Sequence, residues 1–158
     1  MAFTAEVFPA RHVAVTRRPH PPISTLEDLR HTRVGTTRGT SWSEAAVAAG
    51  VPRENHDDSF ANGREVVEAL RRGRVGAAIM AVNGALTEKQ RDPEIEVGLF
   101  VGPAQSAAFA VRPDAQELHA ALDEYITNVR RTPTWSRLVV KYYGNGALEV
   151  LQKSRASP

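Results

Sequence analysis

Residues 35–50, "GTTRGTSWSEAAVAAG", hold the pattern on which the fold reading turns. A β-like segment through Thr36 and Thr37 turns at Gly39 and Thr40 and runs directly into an alanine-rich stretch that stops at Gly50. β-Branched residues suit a strand, alanine suits a helix, and glycine allows the turn between them and the stop after them. Ser41 and Glu44 have the S-x-x-E spacing of a capping box, so the helix is expected to begin there.

Outward from this strand–turn–helix the same grammar repeats. "RVGTT" (33–37) is the strand itself, preceded by "STLEDL" (24–29), a short helix with Ser24 or Thr25 as cap ahead of Glu27 and Asp28. Before that, "RHVAVT" (11–16) alternates as a strand and is broken by "PHPP" at 19–22. On the other side a strand is expected at 56–60. A helix follows, opened by Asn62 with Glu65, apolar at Val66, Val67, Ala69 and Leu70, and closed by Gly73. "VGAAIM" (75–80) reads as a buried strand, "VNGALTEKQ" (82–90) as helical and "EIEVGLFV" (94–101) as a strand. Alternation at this spacing predicts an α/β fold, a mainly parallel sheet with helices on both faces.

After residue 104 the pattern becomes helical. "SAAFAVRP" (106–113) is one more strand, and Asp114 then opens a helix to about Arg131 with Leu118, Leu122, Tyr125, Ile126 and Val129 as its apolar stripe. Pro133 starts another helix, and "ALEVLQKSR" (147–155) is a last amphipathic piece before a frayed end.

Composition removes several functions. The 158 residues carry 20 basic and 18 acidic side chains, a net charge of +2, and the pairs Arg17-Arg18, Arg71-Arg72 and Arg130-Arg131 lie far apart in sequence. That is too slight a surplus to predict a nucleic-acid partner. No cysteine is present, which excludes disulfides, thiolate catalysis and cysteine-held metal. The five histidines show no HxH or HExxH spacing, and no nucleophile elbow, Walker loop or Rossmann fingerprint occurs, so no metal, no cofactor and no catalytic residue is predicted. No apolar run approaches the ~20 residues of a membrane span. The N-terminus lacks the pattern of a signal peptide, so either the chain stays in the cytoplasm or an export signal lies upstream of it.

The Gly39-Thr40-Ser41 turn at a helix N-terminus is an anion site by construction, because unpaired N–H groups and the positive helix end meet beside short side chains. Trp42 offers a flat surface for a ring or sugar, and Arg38 a bidentate clamp for carboxylate or phosphate. The plainer alternatives are that Ser41 only caps the helix, Trp42 only packs and Arg38 is a solvated charge.

The succession "ISTLEDLRHTRVGTTRGTSWSE", "EVVEALRRGRVGAAIM" and "AAFAVRPDAQELHAALDEYITNVRRTPTWSRLVVKYYG" resembles the second half of the family 3 bacterial extracellular solute-binding proteins. The resemblance runs from Arg11 to about Gly144. It implies one lobe of a type 2 periplasmic binding protein: residues 1–16 as outgoing hinge strand and remnant of a first lobe, 17–104 as the ligand-binding lobe, and 105–158 as returning hinge strand and C-terminal helices of the first lobe. The segment that precedes the outgoing hinge in that family is missing. The expected function is that of a small-molecule binding module, not an enzyme, outside the cytoplasmic membrane. Its partner would be an ABC permease, or a fused signalling or transglycosylase domain of a parent protein.

By the same resemblance Thr37, Arg38, Gly39, Thr40, Ser41 and Trp42 line the cleft and take a carboxylate or other anionic group. The family's ammonium-binding carboxylate corresponds to Ala81, and its first, structural Asp to Gly76, so an ordinary α-amino acid is a poor ligand: a desolvated ammonium would lack its charge partner. Asn83 supplies a neutral hydrogen bond or merely a helix surface. Two alternatives stand beside this reading, a dehydratase-like enzyme on the same scaffold and an interaction or truncated domain that binds no small molecule. In either case the C-terminal helices need cover for their stripe, from the lobe itself or from a second copy in a homodimer.

Overall fold

The computed structural model describes residues 1–155, and the frayed end expected after Arg155 lies outside them. The chain opens with two short strands, β1 (Ala2–Phe3) and β2 (Phe8–Pro9). It continues through β3 (His12–Arg17), α1 (Leu26–Arg30), β4 (Val34–Thr37), α2 (Ser41–Ala48), β5 (His56–Phe60), α3 (Gly63–Arg71), β6 (Ala77–Ala81), α4 (Val82–Arg91) and β7 (Ile95–Val101). Strands β8 (Ser106–Ala107) and β9 (Ala110–Val111) and helices α5 (Gln116–Arg131), α6 (Pro133–Tyr143) and α7 (Ala147–Arg155) complete it. These elements form two compact units, Arg11–Pro103 and, separately, Met1–Ala10 with the chain from Ala104 onward.

The larger unit is α/β, with five strands in the order β5-β4-β6-β3-β7. Strands β5, β4 and β6 are parallel, while β3 runs antiparallel to both β6 and β7. Four of the five strands therefore share one direction, and the sheet is mostly parallel. The reversal of β3 has a simple cause. Helix α1 has five residues, a rise of roughly 7.5 Å; it is too short to return the chain along the sheet, so β4 starts at the end where β3 stops. β3 is hydrogen-bonded on both sides within this sheet, to β6 and to β7.

From β4 the chain passes through α2 to β5 in one direction, and from β5 through α3 to β6 in the other. Right-handed crossovers of opposite direction put α2 and α3 on opposite faces. One face buries Ala14, Leu29, Val34, Ala46, Ile79 and Val101 in a single cluster with α1 and α2. The alternate residues Val13 and Val15 point the other way. On that side α3 buries Val66, Val67, Ala69 and Leu70, and α4 buries Val82, Ala85 and Leu86.

Local chemistry explains the boundaries. Thr25 caps α1 in a reciprocal box with Asp28 (3.0 and 3.1 Å), and Asn62 caps α3, accepting from the Glu65 N–H at 3.1 Å. In β7, Leu99 donates its N–H to the Ile23 carbonyl at 2.7 Å, and a Cβ at Gly98 would stand 2.5 Å from the same oxygen. Only glycine lets the two backbones meet there.

In the smaller unit the strand expected at 106–113 is two short pieces. β9 pairs antiparallel with β1 and β8 with β2. The Phe8 ring lies 6.3 Å from Trp135 and 5.4 Å from Tyr143, and Trp135 Nε1 donates to the Val7 carbonyl at 3.1 Å. Glu6 accepts from Arg130 and Arg155, both at 2.7 Å, and both guanidiniums lie over the Trp135 ring. Asp114 does not open α5 as its sequence position suggested: the helix starts at Gln116 behind an uncapped Ala115, and Asp114 pairs with Arg112. Of the expected stripe Ile126 is buried, while Leu118 and Tyr125 are exposed.

Two predictions follow from this packing. Gly98→Ala forces backbone away from backbone and should lower stability by about 1–3 kcal/mol in denaturant melts. The second concerns His12 and His56, both buried in the larger unit's sheet, His56 with Nε2 2.8 Å from Thr36 Oγ1. Burial pushes both imidazole pKa values below the ordinary 6.5. The folded state thus favours neutral imidazole, and the unfolded chain takes up protons first. Their stabilising contribution is complete above about pH 6.5 and is lost as pH falls through the lowered pKa values. The denaturation midpoint should drop between about pH 7.5 and about pH 5.5, and His12→Phe should flatten that slope.

Candidate functional site

At the carboxyl end of β4 the chain turns through Arg38 and Gly39, whose φ of +66° is a left-handed conformation. Nothing lies within 4 Å of a Cβ built at Gly39, so backbone geometry, not crowding, calls for glycine there. This turn makes Thr40, not Ser41, the cap of α2. Thr40 is extended (φ −106°, ψ 161°), its Oγ1 donates to the Thr37 carbonyl at 2.7 Å, and that Oγ1 accepts from the Ser43 N–H at 3.4 Å. The capping box expected from Ser41 and Glu44 is therefore absent: Ser41 is the first helical residue, Ser43 occupies the third position and Glu44 lies one beyond it. The Ser41 hydroxyl is consequently released from capping, and the N–H groups of Ser41 and Trp42 precede the first intrahelical acceptor.

The neighbouring strand β6 ends in the same way. Ala81 is the N-cap residue of α4 and supplies no side-chain hydrogen bond, and the first turn of α4 has no acidic residue. The Val82 N–H is taken by the Arg11 carbonyl at 3.0 Å. β4 and β6 pair in parallel, Val34 with Ala77 and Gly35 with Ala78, so Thr37 and Ala81 end side by side. From this point α2 leaves over one face of the sheet and α4 over the other. Such a topological switch point opens a crevice outside the carboxyl ends of the strands. Here the crevice continues into a cavity of 370 Å³ between α3 and α4, walled by Trp42, Val67, Met80, Ala81, Asn83 and Thr87. Its lining carboxylate, Glu88, is engaged by Arg71 at 3.3 Å and Arg91 at 3.1 Å.

Of the residues expected from sequence, Trp42 and Asn83 line this cavity, and Gly39, Thr40 and Ser41 form the turn that leads into Trp42 but do not line it. Trp42 also packs against the α1/α2 core cluster. Arg38 turns elsewhere, its N–H bonded to the Phe60 carbonyl at 2.9 Å and its guanidinium to the Ser59 carbonyl at 3.3 Å. Thr37 is buried, with Oγ1 lacking a hydrogen-bond partner among the described residues. Val67, Met80 and Thr87 were not foreseen as lining residues; Val67 reads as helix core and Met80 as strand core, and only the convergence of α3, α4 and β6 exposes them to one space. His12, on β3, pairs across strands with Ala81, and its buried Nδ1 has no hydrogen-bond partner among the described residues. Among the described residues no group of three or more His, Asp or Glu could hold a metal ion, and no helix is long and apolar enough to cross a membrane.

The fold is that of one lobe of a type 2 periplasmic binding protein with additional helices. The chain is similar to an ancestral cationic amino acid solute-binding protein (TM-score 0.77, 18% identity, covering 90% of this chain and 62% of that one). It is similar also to an ancestral arginine-binding protein bound to glutamine (0.63, 26%, 90% and 64%). A third similar structure is the L-cystine solute receptor of Neisseria gonorrhoeae in its unliganded open conformation (0.69, 14%, 91% and 60%). The substrate-binding protein of an amino acid ABC transporter has the same fold, as does an ancestral amino acid-binding protein that is a precursor of cyclohexadienyl dehydratase. The chain thus spans 60% to 64% of the length of the three solved proteins compared in detail. No protein-family model matches the sequence, and no curated protein matches it.

Thr40→Ala removes both the cap and the tie to Thr37, and should cost about 1 kcal/mol of stability. Ser41→Ala should cost a few tenths at most, being exposed and outside the cap; thermal melts of the two variants separate the roles.

Proposed function

We propose that this chain is a solute-binding module in which the larger unit supplies one wall of a ligand cleft at the β4/β6 switch point. The observation that carries the proposal is the convergence there of two helix N-termini, the Gly39–Ser41 turn of α2 and the uncapped start of α4, beside an apolar cavity. Backbone N–H groups and helix dipoles provide a positive field with no mobile cation, which suits an anionic group on the solute. Trp42, Val67 and Met80 accept its apolar body, and Asn83 and Thr87 offer neutral hydrogen bonds.

The similar structures are named for arginine, glutamine and cystine, so the anionic group rests on this geometry alone. Ala81 offers no carboxylate to an ammonium, and the single lining carboxylate, Glu88, is held by two arginines. We read the module as a binder, with Glu88 tied into ion pairs with Arg71 and Arg91 at the cavity wall. In a longer parent protein it would hand its solute to an ABC permease or signal to a fused domain outside the cytoplasmic membrane, with residues 105–158 contributing to the first lobe.

Native mass spectrometry of the purified protein should show a carried small molecule bearing a carboxylate or similar group. Ser41→Ala, losing one charge-assisted hydrogen bond, should weaken its retention by about tenfold or more. Unchanged retention removes this turn from the site. Ala81→Asp should shift preference toward α-amino acids, read by calorimetric titration with a carboxylic acid and its α-amino counterpart; an unaltered ratio counts against Ala81 as a cleft residue.

A further inference from the structure

We propose that the larger unit carries a second anion site, at the opposite end of its sheet from Thr37 and Ala81, shaped for a free, multiply charged phosphoanion. The site is a cavity of 540 Å³ where β3 and α3 finish and β6 begins. Five of its ten lining residues are basic, Arg17, Arg18, His20, Arg71 and Arg72, and none is acidic. Leu70 and Val75, both buried, form an apolar floor.

Four guanidiniums that converge without compensation would repel one another, and the structure offsets this from below. Arg17 and Arg71 both donate Nε–H to Asp92 (2.9 and 3.3 Å), Arg18 donates Nε–H to Glu96 at 2.7 Å, and Arg71 also reaches Glu88 at 3.3 Å. Asp92, Glu96 and Glu88 are only 13%, 18% and 19% exposed at the side chain, whereas Arg18 and Arg72 are 60% and 71% exposed. The acids therefore lie beneath, orienting the cations, and the cations face the water. Arg72 is oriented through its Nε by Glu68, one helical turn earlier, at 2.8 Å. Arg17 and Arg72 make these bonds through Nε. His20 is held through Nδ1, 2.8 Å from the Pro21 carbonyl.

A helix C-terminus ordinarily repels anions through its last carbonyls. Here the Gly73 and Arg74 N–H groups fold back onto the Leu70 and Ala69 carbonyls at 3.1 and 2.9 Å, so these are already satisfied. The cavity is lined by four arginines, of which Arg18 and Arg71 also use a terminal nitrogen on Glu96 and Glu88, and the planar geometry of a guanidinium matches phosphate oxygens. A single carboxylate would engage one fork; a pyrophosphate-like group, with charge on both phosphates, can engage several.

The test is a titration of the intact protein with inorganic pyrophosphate, followed by amide NMR, against sodium chloride at equal ionic strength. Saturable shifts confined to the residues around 17–20 and 70–76 are expected. Arg18→Gln and Arg72→Gln, both at exposed positions, should each weaken the response by about tenfold, with melting checked separately, and the double variant should abolish it. Ser41→Ala should leave it intact, which separates this site from the cleft proposed above. The proposal is overturned if chloride reproduces the shifts, if the double variant still responds, or if the protein is captured by phosphatidylglycerol vesicles while pyrophosphate gives no response.

Discussion

The parallel pairing of β4 with β6 is the contact on which the larger unit's organisation depends. Val34 meets Ala77 and Gly35 meets Ala78, joining segments that are distant along the chain. Little room surrounds β4 at this point: a Cβ at Gly35 would stand 3.2 Å from the Val75 side chain and 3.3 Å from the Phe60 ring. Once it forms, the strand ends at Thr37 and Ala81 become neighbours, and the helices leaving them must diverge to opposite faces. The crevice at that end is a consequence of chain direction and handedness, and the side chains around it refine a space the backbone has already made.

The two ends of this sheet gain positive character by different physical routes. At the carboxyl ends of the parallel strands the field comes from helix N-termini and unpaired N–H groups, fixed in the backbone and insensitive to side-chain rotation. At the other end it comes from arginines, whose flexible stems carry entropy that must be restrained before they can act together. The half-buried carboxylates Asp92, Glu96 and Glu88 supply that restraint. Asp92 is suited to it, since its hydrogen bond from Arg17 is the main influence holding its pKa below the usual carboxylate range. It stays ionised beneath the cations.

The smaller unit is held differently. Its four strands are two residues each and bury little, so helices and aromatic rings carry the packing. Phe8 against Trp135 and Tyr143, and Glu6 beneath Arg130 and Arg155, tie the first ten residues to α5, α6 and α7. Phe109, Leu118, Tyr125, Leu138 and Tyr142 remain exposed, so the apolar pattern read in α5 and α6 is only partly consumed within the unit.

What the sequence determined by itself was local. The caps at Thr25 and Asn62, the break at Gly39, the stops at Gly50 and Gly73 and the order of strands and helices are legible because each depends on residues within one turn of one another. Even there the cap of α2 moved by one residue, since Thr40 and Ser41 are both competent caps and only the φ of Gly39 decides between them. The Gly-Thr-Ser turn could be chosen as a candidate site because a helix N-terminus announces its chemistry locally, whereas Asn83 was chosen through the family resemblance. Tertiary structure alone decided the direction of β3, the exposure of Val67 and Met80 to a shared cavity, the placing of His12 opposite Ala81, and the meeting of Arg17 and Arg18 with Arg71 and Arg72. Those arginine pairs looked scattered in the sequence. They converge because strand order is set by pairing between distant segments, and no local pattern encodes which strand will lie beside which.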